Sequence, residues 1–393
     1  MALTRRQIGD ILSGNKENYR LLKEVGGGVN ESYKAVGQRT GKEFLVKIYN
    51  APTKTNPKFE DFIRMQDELN ARLSRISDIA EVLYEHFLID DNYFCAIIEW
   101  ISGKNLKDLT EQDFGPLEKK SVIGLATVYV GTLKQIHNLG IIHTDLKPEN
   151  IYCERQPDID LGWHLKVVDF DFSRIEGYDA PIAVTTPGYE SPEYLRKENN
   201  LKESDVFTSG IILAYWFSGG GYPYDCGKAD TGENYKKNVL GYKLNSIVID
   251  SIRDGYGQDI ANIVRDMLNP NPQKRPKLED IHKMFIQTLK SDSLPSIIEL
   301  HDESKGSIFL TIFEKDIAVG KDNLRIFGDA SRYSRPEQFQ ITLKENGWNI
   351  TGKSGTTNPT LWNGKPLGAQ SELLSDGDRI QIGPLKMIVK LGH

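Results

Sequence analysis

Cysteine is scarce in this chain, which has only three among its 393 residues. Cys95, Cys153 and Cys226 lie far apart, and no two of them form a C-x-x-C pair. An odd number of widely spaced cysteines is a poor basis for a disulfide framework. We therefore expect reduced, structural thiols and a cytoplasmic location.

Long apolar runs and clusters of positive charge are also missing. The longest nearly apolar stretch, residues 122–133, is too short to span a bilayer and has helical periodicity. The N-terminal stretch "MALTRRQIGDILSG" contains no apolar segment of signal-peptide length. The net charge is −6 and no long basic run occurs. We expect a soluble protein with neither a membrane nor a nucleic acid as partner.

The remaining composition is that of an ordinary globular protein, with 39% hydrophobic and 26% charged residues. A chain of 393 residues exceeds what one core usually supports, so two or three domains are expected. The polar segment "KSDSLPS" marks the clearest boundary. The predicted organisation is an N-terminal extension (1–17), a bilobal domain (18–290) with a β-rich lobe (18–100) and an α-rich lobe (101–290), a linker (291–300) and a third region (301–393).

The pattern of apolar residues predicts the fold class of each region. Branched and aromatic residues alternate with polar ones over residues 18–50, as in a half-exposed antiparallel sheet, and a helical pattern follows over 59–76. After Gly103 the pattern is mainly helical. Beyond residue 300, short strands alternate with Gly and Asn/Asp turns, which predicts a small all-β sandwich.

A glycine-rich hairpin, "VGGGVNESYKA", lies between the first two of these predicted strands. Gly26 and Gly28 would let backbone N–H groups approach phosphates closely. A plain surface turn is the alternative.

Lys47 lies in the apolar run "LVKI", where a lysine is costly unless it is paired. It is either a phosphate clamp held by a carboxylate of the following helix or an edge lysine that extends to solvent. Glu68 is the preferred partner because it lies near the middle of that helix, and Glu60, Asp61 and Asp67 are the competitors.

Two apolar strands end in aspartates. The stretch "IIHTDLKPEN" places Lys147 and Asn150 after Asp145. In "HLKVVDFDFSR", the apolar part "LKVV" leads to Asp169. Asp145 is suited to accept a proton from an attacking hydroxyl, and Lys147 to neutralise charge on a transferred phosphoryl group. Asn150 and Asp169 carry the hard oxygen atoms that Mg²⁺ prefers. Turn and cap aspartates are the alternative.

These motifs occur in the order found in protein kinases, and residues 18–290 resemble a eukaryotic-like (bacterial-type) Ser/Thr protein kinase catalytic domain. The resemblance implies an α+β bilobal fold, ATP and Mg²⁺ or Mn²⁺ as cofactors, and Ser/Thr-bearing proteins as substrates. It implies that Asp145 and Lys147 are catalytic residues and that the glycine loop and Lys47 bind ATP. It also places the adenine-binding hinge at Glu99 and Ile101, after Ile98 at the gatekeeper position.

The resemblance extends into the α-rich lobe. The segment "TTPGYESPE" (185–193) is similar to the end of the kinase activation segment, and "NPQKRP" contains the arginine that pairs with its glutamate. The implied structural residues are Thr186, Glu193, Asp205 and Arg275.

Three positions depart from the kinase pattern. Glu31 replaces the third glycine of the phosphate loop, Asp171 replaces the glycine of D-F-G, and Thr144 replaces an arginine that usually receives an activation-segment phosphate. Because Thr144 lacks that charge, we predict a non-RD kinase whose activity does not depend on phosphorylation at Ser173 or Thr185. The rivals are a pseudokinase scaffold and an aminoglycoside-kinase-like small-molecule phosphotransferase.

Residues 301–393 resemble a forkhead-associated (FHA) domain, a β-sandwich whose loops bind phosphothreonine. Asn358 matches an asparagine of its binding loop, Asn363 with Gly364 matches a following N-G, and "DGDRIQIG" matches a late strand. Both N-G and D-G are also common hairpin turns. Lys321 stands where the family usually has arginine, and Ser334 fits a serine of the pocket. No histidine follows that serine, and Arg325, Arg332 and Arg335 are candidate substitutes. The resemblance implies recruitment of phosphothreonine-bearing or other protein partners.

Overall fold

The computed structural model describes most of the chain in fourteen stretches. They are residues 5–26, 30–110, 119–155, 163–176, 185–225, 232–291, 298–304, 308–312, 316–321, 323–324, 332–344, 346–353, 355 and 357–391. The chain divides into two compact units, Met1–Ser102 and Gly103–His393, and each is described separately.

The first unit is built on a six-stranded antiparallel sheet with the order β1-β2-β3-β4-β6-β5. Its elements are β1 (Ile11–Ser13), β2 (Asn18–Glu24), β3 (Glu31–Gly37), β4 (Glu43–Thr53), helix α1 (Phe59–Leu73), β5 (Leu83–Ile89) and β6 (Tyr93–Glu99). Ile11 pairs with Arg20, so part of the predicted extension 1–17 belongs to this sheet. The sequence pattern did not predict β1, which is only three residues long.

The two faces of this sheet bury different cores because successive side chains of a strand point to opposite faces. One face buries Tyr19, Tyr33 and Val46. The other packs Tyr49 and Phe94 against α1. The turn between β5 and β6 contains two aspartates with positive φ, at 52° and 53°, a conformation that Asp tolerates better than most residues.

The second unit begins with a mainly helical region. Its helices are α2 (Leu106–Asp108), α3 (Lys119–Asn138), α4 (Pro192–Leu195), α5 (Lys202–Phe217), α6 (Glu233–Leu240), α7 (Ser246–Tyr256), α8 (Gln258–Met267) and α9 (Leu278–Ser291). Short antiparallel strands lie among them: β7 (Lys104–Asn105), β8 (Ile141–Ile142), β9 (Ile151–Arg155), β10 (Trp163–Val167) and β11 (Arg174–Ile175). Fourteen of the sixteen residues of α5 are buried, which suits a helix that is apolar on all sides and central to its lobe.

The helical patterns of the sequence at residues 202–218, 258–268 and 278–290 correspond to α5, α8 and α9. The sequence pattern did not predict α6 and α7. A local cap marks the start of α7, where the Asn245 side chain accepts a hydrogen bond from the backbone N–H of Ile247 at 3.1 Å.

The C-terminal part of this unit is a β-sandwich. Six strands form one sheet in the order β13-β12-β21-β20-β17-β18, and four form the other in the order β14-β15-β16-β19. They are β12 (Ile298–Asp302), β13 (Ile308–Ile312), β14 (Asp316–Val319), β15 (Phe339–Lys344), β16 (Gly347–Gly352), β17 (Thr360–Trp362), β18 (Lys365–Pro366), β19 (Glu372–Leu373), β20 (Arg379–Ile382) and β21 (Leu385–Leu391). Phe339, Trp348 and Met387 lie in the core between the sheets. Because β12 starts at Ile298, the sandwich begins inside the predicted linker 291–300.

The sandwich contacts the helical region of the same unit. Strand β13 lies against β10 and α3. His282 on α9 faces Glu299 on β12, with 3.8 Å between Nε2 and Oε1. Glu299 Oε2 also lies 2.9 Å from Nε2 of His301. A buried polar contact therefore joins α9 to the first strand of the sandwich.

Two of the three cysteines are buried, free thiols, as expected for structural residues. Burial raises the pKa of Cys153 to about 12. Cys226 lies outside the described residues. Among the described helices, none is both long enough and apolar enough to cross a bilayer.

Candidate active site

Lys47 is buried on an interior strand of the first unit. Strand β4 lies between β3 and β6, and Lys47 is paired with Ser32 on one side and Ala96 on the other. It shares the α1-facing side of the sheet with its strand neighbour Tyr49. The edge-lysine alternative is therefore wrong, because the strand has no free edge.

Glu68 lies on α1, and its carboxylate accepts a hydrogen bond from Nε of Arg72 at 2.7 Å. The preceding Asp67 contacts Nε2 of His86 at 2.9 Å. The Glu68 carboxylate is thus paired with a cation of its own helix, Arg72. The pairing of Glu68 with Lys47 stays a prediction.

The glycine loop is described in part. Gly26 has a φ of 80°, a left-handed conformation that favours glycine, and Gly28 lies outside the described residues. Near the C-terminal end of the unit in sequence, strand β6 ends with the buried Ile98 and the exposed Glu99, and Ile101 follows two residues later. The N–H of Glu99 donates to the carbonyl of Val82 at 3.3 Å. The binding of ATP by these residues remains a prediction.

Glu31 is not directed to the face that carries Lys47. It is paired with Ile48, whereas Lys47 is paired with Ser32, so Glu31 and Lys47 lie on opposite faces of the sheet. The Tyr33 hydroxyl donates to Oε2 of Glu31 at 2.9 Å. Burial, aided by this hydrogen bond, raises the pKa of Tyr33 to about 12. The negative charge that replaces the third glycine of the loop is therefore turned toward Tyr33.

In the second unit, Asp145 is the centre of a hydrogen-bond network. Its Oδ1 accepts from both the backbone N–H and the hydroxyl of Thr186, at 2.8 Å each. Lys147 Nζ lies 2.9 Å from Oδ2 of Asp145 and 2.9 Å from the Thr186 hydroxyl. Asp145 is buried, and these three donor groups, two from Thr186 and one from Lys147, hold its carboxylate in one orientation. The structure thus brings Thr186 next to Asp145, which lies 41 residues earlier, and next to Lys147.

Asn150 and Asp169 lie next to each other because of strand pairing. Ile151 of β9 is paired with Val167 of β10, and the N–H of Val168 donates to the carbonyl of Asn150 at 2.9 Å. The Asn150 amide nitrogen donates to the carbonyl of Asp145 at 3.0 Å, which leaves its oxygen as the atom for a metal. Asp169 follows directly, in a left-handed conformation with φ of 66°.

The donor set fits a hard divalent cation. An amide oxygen and a carboxylate at adjacent strand ends are the oxygen ligands that Mg²⁺ uses, together with phosphate oxygens and water. Within the described residues, no group of three or more His, Cys, Asp or Glu side chains is arranged to hold a metal ion. A small protein donor set of this kind suits a cation that the nucleotide also ligates.

Asp205 fixes the backbone just before Asp145. Its carboxylate accepts from the N–H of His143 at 2.8 Å and from the N–H of Thr144 at 3.0 Å. Nε2 of His137 lies 2.9 Å from the same carboxylate. Sequence reasoning missed His137, because its place at the end of α3 gives no local signal. Thr144 has a φ of 67°, and these bonds hold it in that strained conformation.

Thr144 has a structural role in place of the missing arginine. Its hydroxyl donates to the carbonyl of Phe172 at 2.7 Å, and Ser173 donates back to the carbonyl of His143 at 3.2 Å. Ser173 is buried by this contact. Asp171, which replaces a family glycine, directly precedes Phe172. Its φ is not positive, so a side chain is tolerated there.

Glu193 and Arg275 form a buried, two-point ion pair. The guanidinium contacts the two carboxylate oxygens at 2.7 and 3.1 Å, and both side chains are almost fully buried. The Ser204 hydroxyl also donates to Glu193 at 2.9 Å. This pair anchors the end of the 185–193 segment to the helical region, as the sequence resemblance implied.

The sandwich brings its three predicted binding residues to neighbouring loops. The N–H of Lys321 donates to the carbonyl of Arg335 at 2.6 Å, next to the buried Ser334. The Asn358 amide donates to the carbonyl of Tyr333 at 3.1 Å. Lys321, Ser334 and Asn358 are therefore connected through the loop at 333–335.

Gln338 is the residue of this site that sequence reasoning missed. Its amide nitrogen donates to the carbonyl of Asn358 at 2.8 Å, and its oxygen accepts from the N–H of Arg335 at 3.0 Å. Arg332 lies over the ring of Tyr333, 5.4 Å from its centroid. Arg325 lies outside the described residues.

Asn363 and Gly364 form the turn of a hairpin. Trp362 pairs with Lys365 across them, and both turn residues have positive φ. The Asn363 amide donates to Asp378 at 2.8 Å. The plain-turn interpretation explains this pair fully, so the N-G motif by itself carries no argument for a binding site.

The comparisons with known proteins concern the first two thirds of the chain. The family model for the protein kinase domain matches residues 19–286. Calcium-dependent protein kinase 5 of Oryza sativa subsp. japonica is 29% identical over 283 residues, 70% of this chain and 48% of that protein. Serine/threonine-protein kinase pkn2 of Myxococcus xanthus is 26% identical over 215 residues, 53% of this chain and 25% of that protein.

A third relative, serine/threonine-protein kinase/endoribonuclease IRE1b of Arabidopsis thaliana, is 28% identical over 207 residues, 48% of this chain and 22% of that protein. The matches to these three relatives thus span at most about half of their length. The family match contains the buried lysine, the Asp145 network, the paired strand ends and the Glu193–Arg275 pair. This chain belongs to the protein kinase domain family.

Proposed function

We propose that the protein is an ATP-dependent Ser/Thr protein kinase that uses Mg²⁺ or Mn²⁺. The observation that carries the proposal is the network of Asp145, Lys147 and Thr186 beside the adjacent Asn150 and Asp169. A scaffold has no need for a buried carboxylate held by three donor groups, since burying a charge is costly. The proposal also agrees with the names of the relatives.

Asp145 receives the proton of the acceptor hydroxyl as that hydroxyl attacks the γ-phosphoryl group; the new oxygen–phosphorus bond forms while the bond from that phosphorus to the β,γ-bridging oxygen breaks, and ADP leaves. Lys147, already next to Asp145, neutralises charge that develops on the transferred group. Thr186 holds the Oδ1 side of the carboxylate, so the proton acceptor needs little reorganisation. Lys47 would bind the phosphates of the nucleotide, and Asn150 and Asp169 would hold the metal. The bound cation neutralises phosphate charge and orients the phosphate oxygens.

The activity is proposed to be independent of activation-segment phosphorylation. Thr144 carries no charge for a phosphate and uses its hydroxyl on Phe172. Ser173 is buried and its hydroxyl donates to the carbonyl of His143. Neutral groups therefore already link residues 143–144 to residues 172–173, a link that would otherwise need an arginine and a phosphate.

The test is radiolabelled phosphate transfer from ATP to three acceptor classes: a Ser/Thr peptide mixture, a Tyr peptide mixture and an aminoglycoside panel. We expect transfer to Ser and Thr that is lost in Asp145→Ala. A matched control is Asp316→Ala, which removes an aspartate on the sandwich strand β14. Transfer only to small molecules would support the aminoglycoside-kinase-like alternative. Partner binding without transfer would support the pseudokinase scaffold.

We further propose that the C-terminal sandwich is an FHA-like module that binds phosphothreonine peptides. The supporting observation is that Lys321, Ser334 and Asn358 lie on loops joined by direct hydrogen bonds. Lysine supplies charge but not the two-point fork of an arginine, so modest affinity is expected.

Titration with a phosphothreonine peptide and its unphosphorylated twin tests this second proposal. Binding that needs the phosphate and is lost in Lys321→Ala and Asn358→Ala supports it. Equal binding of both peptides would make the sandwich a plain docking module. Asn363→Ala is the matched control, because that asparagine only supports a hairpin turn.

A further inference from the structure

Glu190 is a half-buried carboxylate that the proposed chemistry does not use. It lies in the 185–193 segment, and its Oε2 accepts a hydrogen bond from the N–H of Gly188 at 2.6 Å. Burial raises the pKa of Glu190, and only two backbone N–H groups, its own and that of Gly188, counteract this. No cation among the described residues contributes. The carboxylate is thus desolvated without a positive partner.

Glu190 follows Thr186, a residue bound to Asp145, by four positions. Thr186 is bound to Asp145, and the N–H of Tyr189 donates to the carbonyl of Thr186 at 3.1 Å, which closes a tight turn. The ends of such a turn lie within about 7 Å, so the Cα of Glu190, one residue further on, lies at most about 11 Å from that of Thr186. An extended peptide rises about 3.3 Å per residue, so this distance equals about three residues of an acceptor.

The segment around Glu190 is held in place. The Tyr235 hydroxyl of α6 donates to the carbonyl of Glu190 at 3.0 Å. The preceding Tyr189 is buried, and its hydroxyl contacts that of Tyr222 at 3.0 Å. A preorganised carboxylate loses little entropy on binding a ligand, so its position can contribute to specificity.

The neighbouring carboxylates already have cations. Asp145 has Lys147 at 2.9 Å, and Glu149 has Lys107 at 3.0 Å. Glu190 differs from both because its partners are backbone N–H groups only. A positive side chain of a bound peptide would complete its interactions with a charge-assisted hydrogen bond.

We propose that Glu190 selects acceptor peptides that carry Lys or Arg within about three residues of the phosphorylated Ser or Thr. This inference rests on the proposed kinase activity and adds the substrate class. The ligand is a basic peptide segment, and the selecting atoms are the carboxylate oxygens of Glu190.

The experiment compares peptides that differ only in the charge of one side chain. A neutral Ser peptide receives Arg or its uncharged isostere citrulline at each of the three positions before and after the serine, and kcat/KM is measured for each. Wild type should prefer Arg over citrulline by about tenfold at one or two positions, the order expected for one charge-assisted hydrogen bond. In Glu190→Gln, which keeps an acceptor for Gly188, the preference should fall to about twofold or less.

Two further variants sharpen the result. Glu190→Lys should prefer a Glu peptide over a Gln peptide at the same position, which a merely damaged enzyme would not do. Glu198→Gln makes the same chemical change at an exposed position of the same lobe and should keep the Arg preference.

The outcomes separate the two proposals. Transfer to peptides without any Arg preference, or with a preference that survives in Glu190→Gln, overturns the role of Glu190 and leaves the kinase proposal standing. No transfer to any Ser or Thr peptide overturns the kinase proposal and this inference with it.

Discussion

Thr186 donates two hydrogen bonds to one oxygen of Asp145: its backbone N–H and its hydroxyl both lie 2.8 Å from Oδ1. The same hydroxyl accepts from Lys147 at 2.9 Å. A residue 41 positions away from Asp145 therefore orients both groups that the proposed transfer step requires. The segment that carries Thr186 also carries Glu190, so the proposed acceptor recognition and the proposed transfer step involve the same segment.

Replacing Thr186 should lower kcat. Thr186→Ala removes one hydrogen bond to the catalytic carboxylate and one from Lys147, so kcat should fall by roughly 10- to 100-fold. Thr186→Ser keeps the hydroxyl and should stay within about threefold of wild type. Steady-state kinetics with a Ser peptide measures both. A Thr186→Ala enzyme with wild-type kcat would show that Asp145 does not need this support.

Activity should not change when the activation segment is dephosphorylated. Thr144 binds Phe172 through its hydroxyl and offers no charge to a phosphate. Enzyme treated with phosphatase, and enzyme carrying Thr185→Ala, should keep the kcat of untreated wild type within about twofold. Mass spectrometry confirms the absence of phosphate in each sample. A large activation on phosphorylation at Thr185 would contradict this prediction.

Glu31 should affect the stability of the first unit rather than nucleotide binding. Its carboxylate accepts from Tyr33 on the sheet face opposite Lys47. Glu31→Ala should lower the melting temperature, since loss of such a hydrogen bond costs about 1 kcal/mol, and should leave KM for ATP unchanged.

Glu31→Gly, which restores the residue type of the kinase pattern, separates the two effects. Calorimetry and ATP kinetics on both variants give the result. A marked fall in KM for ATP in Glu31→Gly would mean that the charge does act on the phosphates.

His282 should make stability depend on pH. Burial between α9 and the sandwich lowers the pKa of His282, and the facing Glu299 only partly opposes this. The unfolded chain therefore binds the proton first as pH falls below about 6.5, so the contribution of neutral His282 is present above that value and lost below it. The other charges that act on His282 are Lys134, Glu279 and His301.

Melting temperatures of wild type and His282→Asn between pH 5 and 8 test this sign. Wild type should lose more stability than the variant on acidification. Equal pH profiles, or a wild type that gains stability at low pH relative to the variant, would refute it.

The sequence predicted which residues lie together at the candidate site better than it predicted the contacts that support them. Asp145, Asn150 and Asp169 were named from residue type and spacing, and the structure places them near one another; their roles stay predictions. Glu31 and Thr144 were interpreted from the family pattern, but their actual contacts depend on strand register and on a turn 28 residues away. Such long-range contacts leave no periodic signal in the sequence.

The same limit applies to the fold. Long helices such as α3 and α5 have strong apolar patterns and were predicted. The three-residue β1 and the strand β12 were missed. Strand β1 is too short to show a pattern, and β12 alternates apolar and polar residues over only four positions after a polar segment. Gln338 was missed for another reason: a single glutamine is ordinary until the folded chain places it between two loops.

The most direct test of the account measures nucleotide binding and phosphate transfer on the same Asp145→Asn variant. Asn keeps the size of the side chain but cannot accept the acceptor's proton. The account predicts that MgATP affinity stays within about threefold of wild type while transfer to a Ser peptide falls by 10²- to 10⁴-fold, the usual range for a lost catalytic base. Transfer at a wild-type rate by Asp145→Asn would contradict the central claim.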